Sequence, residues 1–464
     1  MPLAPPAPAA GSTSASPWDH AHRRLTAGIL GLVVLGAFEN RAVLSILPTI
    51  ADALDGLGWY GAANAAATAT LTLATVVAGR WTDRVGAARV LRVGLTVFLG
   101  AQLLAAVAPT MVVLVASRAV SGVAEGLLDI ALTVVVARSY PEHLRPKVFA
   151  AFAAAWLLPS LLGPALTGLI DHVAGWRWVF AAPLVLALPA WLAVRPGLRG
   201  LAPAGGSQAR TSPAMLRAAL TVAAALAAVT SVGPWLNVPG PLRTIGYAVS
   251  AVGLLALAAG AASVLPAGSL TLRRGAPALV GMRLLVSMAF PGVGTFLPLM
   301  LAITQGAGPA LAGVSLSVTG SMWALGSWLQ STALLQSRMD SGQRVRLGFL
   351  LIALGAVGPF ALALGWLALV PGLVGWAPCG VGMGILSPTL TTAALALAER
   401  SEEGQVSSAQ VLAGTLGYAV PTAVGGALVA RFADHLTGSL FAGLIGMSVV
   451  VALAGVAFAG RVRP

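Results

Sequence analysis

The stretch GRWTDRVGAAR, residues 79–89, crowds Arg80, Asp83, Arg84 and Arg89 into a chain in which only 9% of residues are charged. Residues 59–79 before it carry no charge, and beyond Arg92 the next charge is Arg118. A charge-free run of about 20 residues crosses the roughly 30 Å hydrocarbon core of a bilayer as a helix. A dense polar knot between two such runs therefore reads as a short loop joining two membrane spans.

The same pattern fills the chain. Its 464 residues are 58% hydrophobic, with a mean hydropathy of +0.89, more apolar surface than a soluble core can bury. The runs are continuous rather than alternating and rich in Ala, Leu and Gly, which selects helices over barrel strands. The expected fold class is an all-α polytopic membrane protein of about 14 transmembrane helices. The single Cys379 excludes a disulfide framework, and the five scattered histidines show no metal-ligand spacing, so no metal and no cofactor are expected.

The net charge of +13 raises the question of a nucleic-acid partner, and its distribution answers it. Counting from a cytoplasmic N-terminus, 22 of the 27 Lys and Arg residues fall in cytoplasmic segments or at cytoplasmic helix ends, as membrane orientation requires. That reading places Arg283 among the helix-end anchors and leaves only Arg41 and Arg118 inside spans. It predicts a multi-pass protein of the cell (inner) membrane with both termini cytoplasmic, surrounded by lipid, with no nucleic-acid partner.

Residues 1–24, rich in Pro, Ala and Ser, read as a disordered tail. Residues 196–213 are a Gly/Pro/Ser/Arg linker between six spans (25–195) and eight. The halves echo each other. Asp83 precedes Arg89 by six positions, as Asp340 precedes Arg346, and Pro/Gly-broken helices recur at 156–168 and 416–426. This predicts two six-helix bundles, 25–195 and 279–464, with two additional helices at 214–266. Parallel repeats of this kind place a substrate site at the bundle interface near the midplane.

Three acids fall inside spans: Glu39, Glu125 and Asp129. An ionised group at that depth costs about 2.5 kcal/mol or more, so each is a functional candidate. Glu125 and Asp129 are one helical turn apart on one face, and Arg118 shares that stripe. At about 1.5 Å per residue, Glu39 and Arg118 reach similar depths. A buried carboxyl favours its neutral form and a nearby cation its ionised form, so the cluster is a candidate proton-coupling site: Glu125 and Asp129 bind the proton, Glu39 takes part, and Arg118 modulates. The competing reading is a static ion-pair cluster. Arg41, two residues from Glu39, projects elsewhere and reads as a side chain snorkelling to the interface. Trp156, Phe290, Met322, Trp323, Gln330 and Tyr418 form the pool of substrate-cavity candidates, since Met and aromatic surfaces accept varied lipophilic ligands and organic cations.

Gly79-x3-Asp83-Arg84-x-Gly86-x2-Arg89 resembles the loop 2–3 motif of the major facilitator superfamily, with Ala88 in place of a second basic residue. RAVSGVAEG (118–126) resembles that family's span-4 motif. PSLLGPALTG (159–168) resembles the span-5 motif of its proton-coupled antiporters, with Pro159 where Gly is usual, and GWRWVF (175–180) is common before span 6. The span count resembles the fourteen-span drug:proton antiporter branch. The resemblance implies that Gly79, Asp83, Arg84, Gly86 and Arg89 form a conformational latch. It also implies that Pro159, Gly163, Pro164 and Gly168 bend a helix that seals the cavity against proton leak. It further implies a monomeric secondary transporter, driven by the proton gradient, that exports small lipophilic or cationic drugs. The alternatives are an exporter of a specific metabolite or lipid, and a non-transport membrane receptor. No nucleophile triad, metal or P-loop pattern points to an enzyme.

Overall fold

The computed structural model of the chain describes residues 16–20, 22–141, 144–199, 240–397 and 403–462, with isolated residues between 220 and 229. Among these residues every regular element is helical. The first half comprises α1 (Arg23–Ala53), α2 (Tyr60–Val85), α3 (Ala87–Ala106), α4 (Met111–Ser139), α5 (Arg145–Ala174) and α6 (Arg177–Val194). Then come α7 (Pro241–Val264), α8 (Ala276–Gly294), the short α9 (Leu297–Gln305), α10 (Pro309–Ser331), α11 (Ala333–Arg338), α12 (Ser341–Ala363), the short α13 (Leu369–Val374), α14 (Ala377–Ala396), α15 (Glu403–Arg431) and α16 (Gly438–Phe458).

The helices stop where the chain offers a residue that tolerates the turn. Gly86 between α2 and α3 has φ +84°, and Gly175 between α5 and α6 has φ +89°, a region closed to most side chains. Asp340 opens α12 with a capping box: its Oδ1 accepts from Gln343 N at 2.9 Å, while Gln343 Oε1 accepts from Asp340 N at 3.0 Å. The two Asp-to-Arg echoes are thus offset in register. Asp83 lies in the last turn of α2, before its reversal, whereas Asp340 caps the helix after its own.

Packing repeats from half to half. α2 and α3 both pack on α4, α1 packs on α5 and α6, and α3 on α6; in the second half α10 and α12 pack on α14, α8 on α15 and α16, and α12 on α16. The halves meet along two seams, α5 with α10 and α2 with α15. Eleven helical stretches among the described residues are long and apolar enough to cross a bilayer. The less apolar α10 (23 residues) lies between α5 and α14, and α7 (24 residues) packs on α15. Most of the expected span at 215–235 lies outside the described residues, so the expected fourteen is not reached by this count. The linker at 200–213 lies outside them too. So do residues 1–15, whereas Pro17, inside the expected tail, is held by Thr26, whose hydroxyl donates to its carbonyl at 2.6 Å.

The hydrophobic core divides unequally. At one end, Ile46, Leu47, Ile50 and Tyr60 of the first half share a core with Val293, Phe296, Leu297 and Met300 of the second. Tyr60 Oη donates to Thr295 O at 3.3 Å across this contact. At the other end, which carries the 79–89 loop, the core around Leu25, Ala78, Leu91 and Tyr140 belongs to the first half alone. α1 begins at this second, basic end, and in the second half Gly275 before α8 donates to Arg461 O beyond α16 at 3.2 Å. The halves thus share a core at the end away from the 79–89 loop, and Ala65 and Ala69 of α2 pack on Ala409, Leu412 and Leu416 of α15, while the core beside the loop belongs to the first half.

Candidate functional site

A cavity of about 440 Å³ lies between the halves. α1, α2 and α4 make one wall; α8, α10 and α15 make the other. Gly122 and Gly126 let α4 sit tightly on α2, and Thr70 Oγ1 donates to Ala119 O at 2.7 Å. This fixes α4 with its Arg118–Glu125 stripe turned to the cavity.

On that stripe Arg118 Nη1 donates to Glu39 Oε1 in an ion pair buried to 5% and 2% exposure. Ser121 Oγ donates to the same oxygen at 3.1 Å. Glu39 Oε2 and Arg118 Nε keep no hydrogen-bond partner, and neither does the buried Oε1 of Glu125. Glu125 and Arg118 both line the cavity. Asp129 lies one turn nearer the basic end and is exposed, outside the cavity wall proper. The sequence-predicted cluster thus assembles as a pair, Glu39 with Arg118, beside the cavity-lining Glu125, with Asp129 apart.

Two further charges line the cavity, and both correct the sequence reading. Arg41 does not snorkel to an interface; its Nε donates to Ser160 Oγ of α5 at 3.2 Å and it faces the cavity. The opposite faces of α1 both point into the protein, so turning away from Glu39 brings Arg41 towards α5 rather than lipid. Arg283 is not a helix-end anchor. It stands on the second half's wall, donating from Nη1 to Ser387 Oγ of α14 at 3.0 Å, with Nε unpartnered. Charge is therefore carried on both walls. Neither arginine has an acidic partner within 4.0 Å among the described residues.

The aromatic candidates divide. Phe290, Trp323 and Tyr418 line the cavity. Phe290 meets Trp323 edge-on at 5.6 Å and stacks on Trp376, which the sequence reading did not single out, at 5.9 Å. Trp156, 43% exposed, lines a second cavity of about 510 Å³ between α5 and α10, which shares Arg41 and Trp323 with the first. Met322 and Gln330 line neither: Met322 packs against Gly380 of α14, and Gln330 is buried.

The other two motifs take clear positions. In the 79–89 loop only Gly86 makes the reversal; Gly79 lies inside α2 facing open space. One residue at positive φ suffices for the turn, so the glycine spacing is not explained by the turn alone. Asp83, Arg84 and Arg89 form no ion pair among the described residues. In α5, which stays helical through Pro159 and Pro164, Gly168 meets Ala310, Pro164 meets Gly313 and Ser160 meets Gly320, a seam of small residues against α10. Gly163 approaches Arg41 and Phe38 instead.

Comparison with known proteins agrees with this architecture. The family profile of the Major Facilitator Superfamily matches residues 29–422. A Mycobacterium tuberculosis protein named "Probable multidrug-efflux transporter" is 30% identical over 434 residues, covering 87% of this chain and 88% of that one. An uncharacterized transporter of Schizosaccharomyces pombe is 31% identical over 153 residues, 33% of this chain and only 26% of that protein. A crystal structure of a POT peptide transporter superposes with a TM-score of 0.70 at 17% identity, over 96% of each chain, which shows a common fold alone. With a family match over most of its length and a transporter's two-wall cavity at its centre, the chain belongs to the Major Facilitator Superfamily.

Proposed function

We propose that this transporter is a proton-coupled exporter of small lipophilic molecules, working as an antiporter in the cell membrane with its basic end in the cytoplasm. The observation that carries the reading is the α1/α4 wall, where the Glu39–Arg118 pair and the unpartnered Glu125 line a cavity between two halves. A proton on Glu125 removes one charge from a low-dielectric space, which changes the field every cavity occupant meets. Asp129, one turn nearer the basic end, is positioned to pass protons between that end and Glu125. The Glu39–Arg118 pair holds α1 to α4 and keeps Arg118 beside Glu125.

The core shared by both halves away from the 79–89 loop, and the separate core beside it, support reading the molecule as the inward-open state of an alternating-access cycle. Closing the basic end would bring the α2–α3 loop to the second half, and the unpaired Asp83, Arg84 and Arg89 are the groups free to latch there. The name of the M. tuberculosis relative supports efflux as the direction. The positive-inside distribution supports the orientation.

The test is proton movement in inverted vesicles energised to an acid interior, with a panel of lipophilic compounds added and Glu125→Gln and Asp129→Asn run alongside. A compound that discharges the gradient through the wild type, but not through one of these variants, supports exchange and names the coupling acid. Labelled compound crossing with no proton movement would make the protein a uniporter and the acids structural.

A further inference from the structure

Arg41 and Arg283 pose a problem that proton coupling leaves untouched. A guanidinium stays charged at every accessible pH and offers five N–H donors in a planar fork. Arg41 spends one hydrogen bond on Ser160 Oγ and Arg283 one on Ser387 Oγ, both neutral acceptors. Each lines the cavity without a carboxylate. The cavity's other cation, Arg118, is already paired with Glu39, and Glu125 lies on the Arg118 stripe of α4. Counting the charges on both walls, three arginines face two glutamates, so the space between the halves is net positive even with Glu125 ionised. A cavity of this balance repels an organic cation and leaves one positive charge unbalanced.

The apolar part of the lining completes the picture. Phe290, Trp323 and Trp376 form a continuous aromatic cluster on the second half. Trp323 and Arg41 together border the second cavity, which runs along the α5–α10 seam past Leu157 and the exposed Trp156. Flat apolar surface and a guanidinium with no carboxylate partner thus line the point where the two spaces meet. Carboxylate, sulfonate and phosphate groups accept the guanidinium fork in a bidentate manner, and an aromatic body fits the cluster.

Resting on the reading of this cavity as the transport site, we propose that it takes lipophilic organic anions, with the acidic group held by Arg41 and Arg283 and the apolar body against Phe290 and Trp323. Of the two substrate types expected from sequence, lipophilic and cationic, this keeps the first and replaces the second. One arginine comes from each half, so a bound anion supplies negative charge to both walls at once.

The experiment is equilibrium binding to the full chain in lipid nanodiscs, using three probes of matched shape: naphthalene-2-sulfonate, the neutral naphthalene-2-sulfonamide, and the cation of 2-naphthylmethylamine. Empty nanodiscs correct for partitioning. The sulfonate should bind roughly tenfold or more tighter than either partner, the scale of one charge-assisted hydrogen bond. Arg41→Gln and Arg283→Gln should each erase most of that preference while leaving sulfonamide binding within about twofold of the wild type, a retained affinity that also reports a folded cavity. Arg41→Lys, keeping charge without the fork, should retain part of it. Equal binding of the three probes, tighter binding of the amine, or a sulfonate preference that survives both Gln variants would overturn the proposal. Because no proton gradient is present, a sulfonate preference lost in the variants would stand even if the vesicle assay showed no proton exchange. Failure here would leave proton-coupled export of uncharged compounds intact.

Discussion

At the residue scale the least replaceable group is Arg118, buried against Glu39 with its Nε unpartnered. Glu39→Gln keeps the volume and removes the counter-charge, so it should destabilise the protein by about 3–5 kcal/mol, the cost of breaking one side of a buried pair. Thermal unfolding of the purified protein measures this. The double variant Glu39→Gln/Arg118→Gln should recover part of the loss, since neither charge is then stranded. Additive losses would show that the two do not form a working pair. The loop supplies a second residue-scale contrast. Gly86→Ala, at φ +84° and ψ 148°, should cost about 1–3 kcal/mol. Gly79→Ala, facing open space inside α2, should be neutral or gain up to about 1 kcal/mol. If Gly79 is kept small for the second half's approach in the closed state, Gly79→Leu should leave unfolding unchanged and slow transport. A Gly79→Leu protein of wild-type rate would remove the latch role from this position.

At the scale of elements, the α5–α10 seam is the contact on which the halves would rock. It is built from pairs too small to interlock: Gly168 with Ala310, Pro164 with Gly313, Ser160 with Gly320. Small residues let helices approach closely and slide without disengaging side chains. Gly313→Leu should run into Pro164 and cost about 1–3 kcal/mol by overpacking. Its effect on transport rate should exceed that of an enlargement on the lipid face, such as Val357→Leu on α12, where the side chain is exposed. Equal rates for the two would mean the seam does not move. Much of this scale was legible in advance, because long apolar runs and their polar breaks mark α1 to α6 and, in the second half, α8, α10, α12, α14, α15 and α16; the breaks before the short α9, α11 and α13 fall inside those runs and carry no charge to mark them. What was not legible follows from helix geometry. A charge pattern locates Arg41 and Arg283 along their helices but not around them, so a cavity arginine and an interfacial anchor look alike. The Arg118–Glu39 contact could be read because depth counting applies to both helices and opposite charges at one depth attract. Met322 was misplaced for the same rotational reason: the face of α10 that carries Trp323 to the cavity turns Met322 to Gly380 of α14. Gln330 shares the Trp323 stripe but lies two turns further along α10, buried beyond the cavity lining.

At the scale of the whole molecule, the unequal core and the charge balance of the cavity belong to one cycle. On the proposed reading, the core shared by the halves closes the route away from the 79–89 loop and leaves the other for the cytoplasm. If the occupant is an anion, the electrical consequence differs in sign and size from that of cation exchange. One univalent anion leaving the cytoplasm against one proton entering moves two positive charges inward per cycle, whereas a univalent cation exchanged for one proton moves none. Each charge carried across is worth about 2.3 kcal/mol per 100 mV. In inverted vesicles with no pH gradient, a potassium diffusion potential positive inside should therefore accelerate uptake of naphthalene-2-sulfonate, and Arg41→Gln/Arg283→Gln should abolish the potential-dependent component. Uptake indifferent to the potential would show that substrate and proton charge cancel, which only an electroneutral exchange permits.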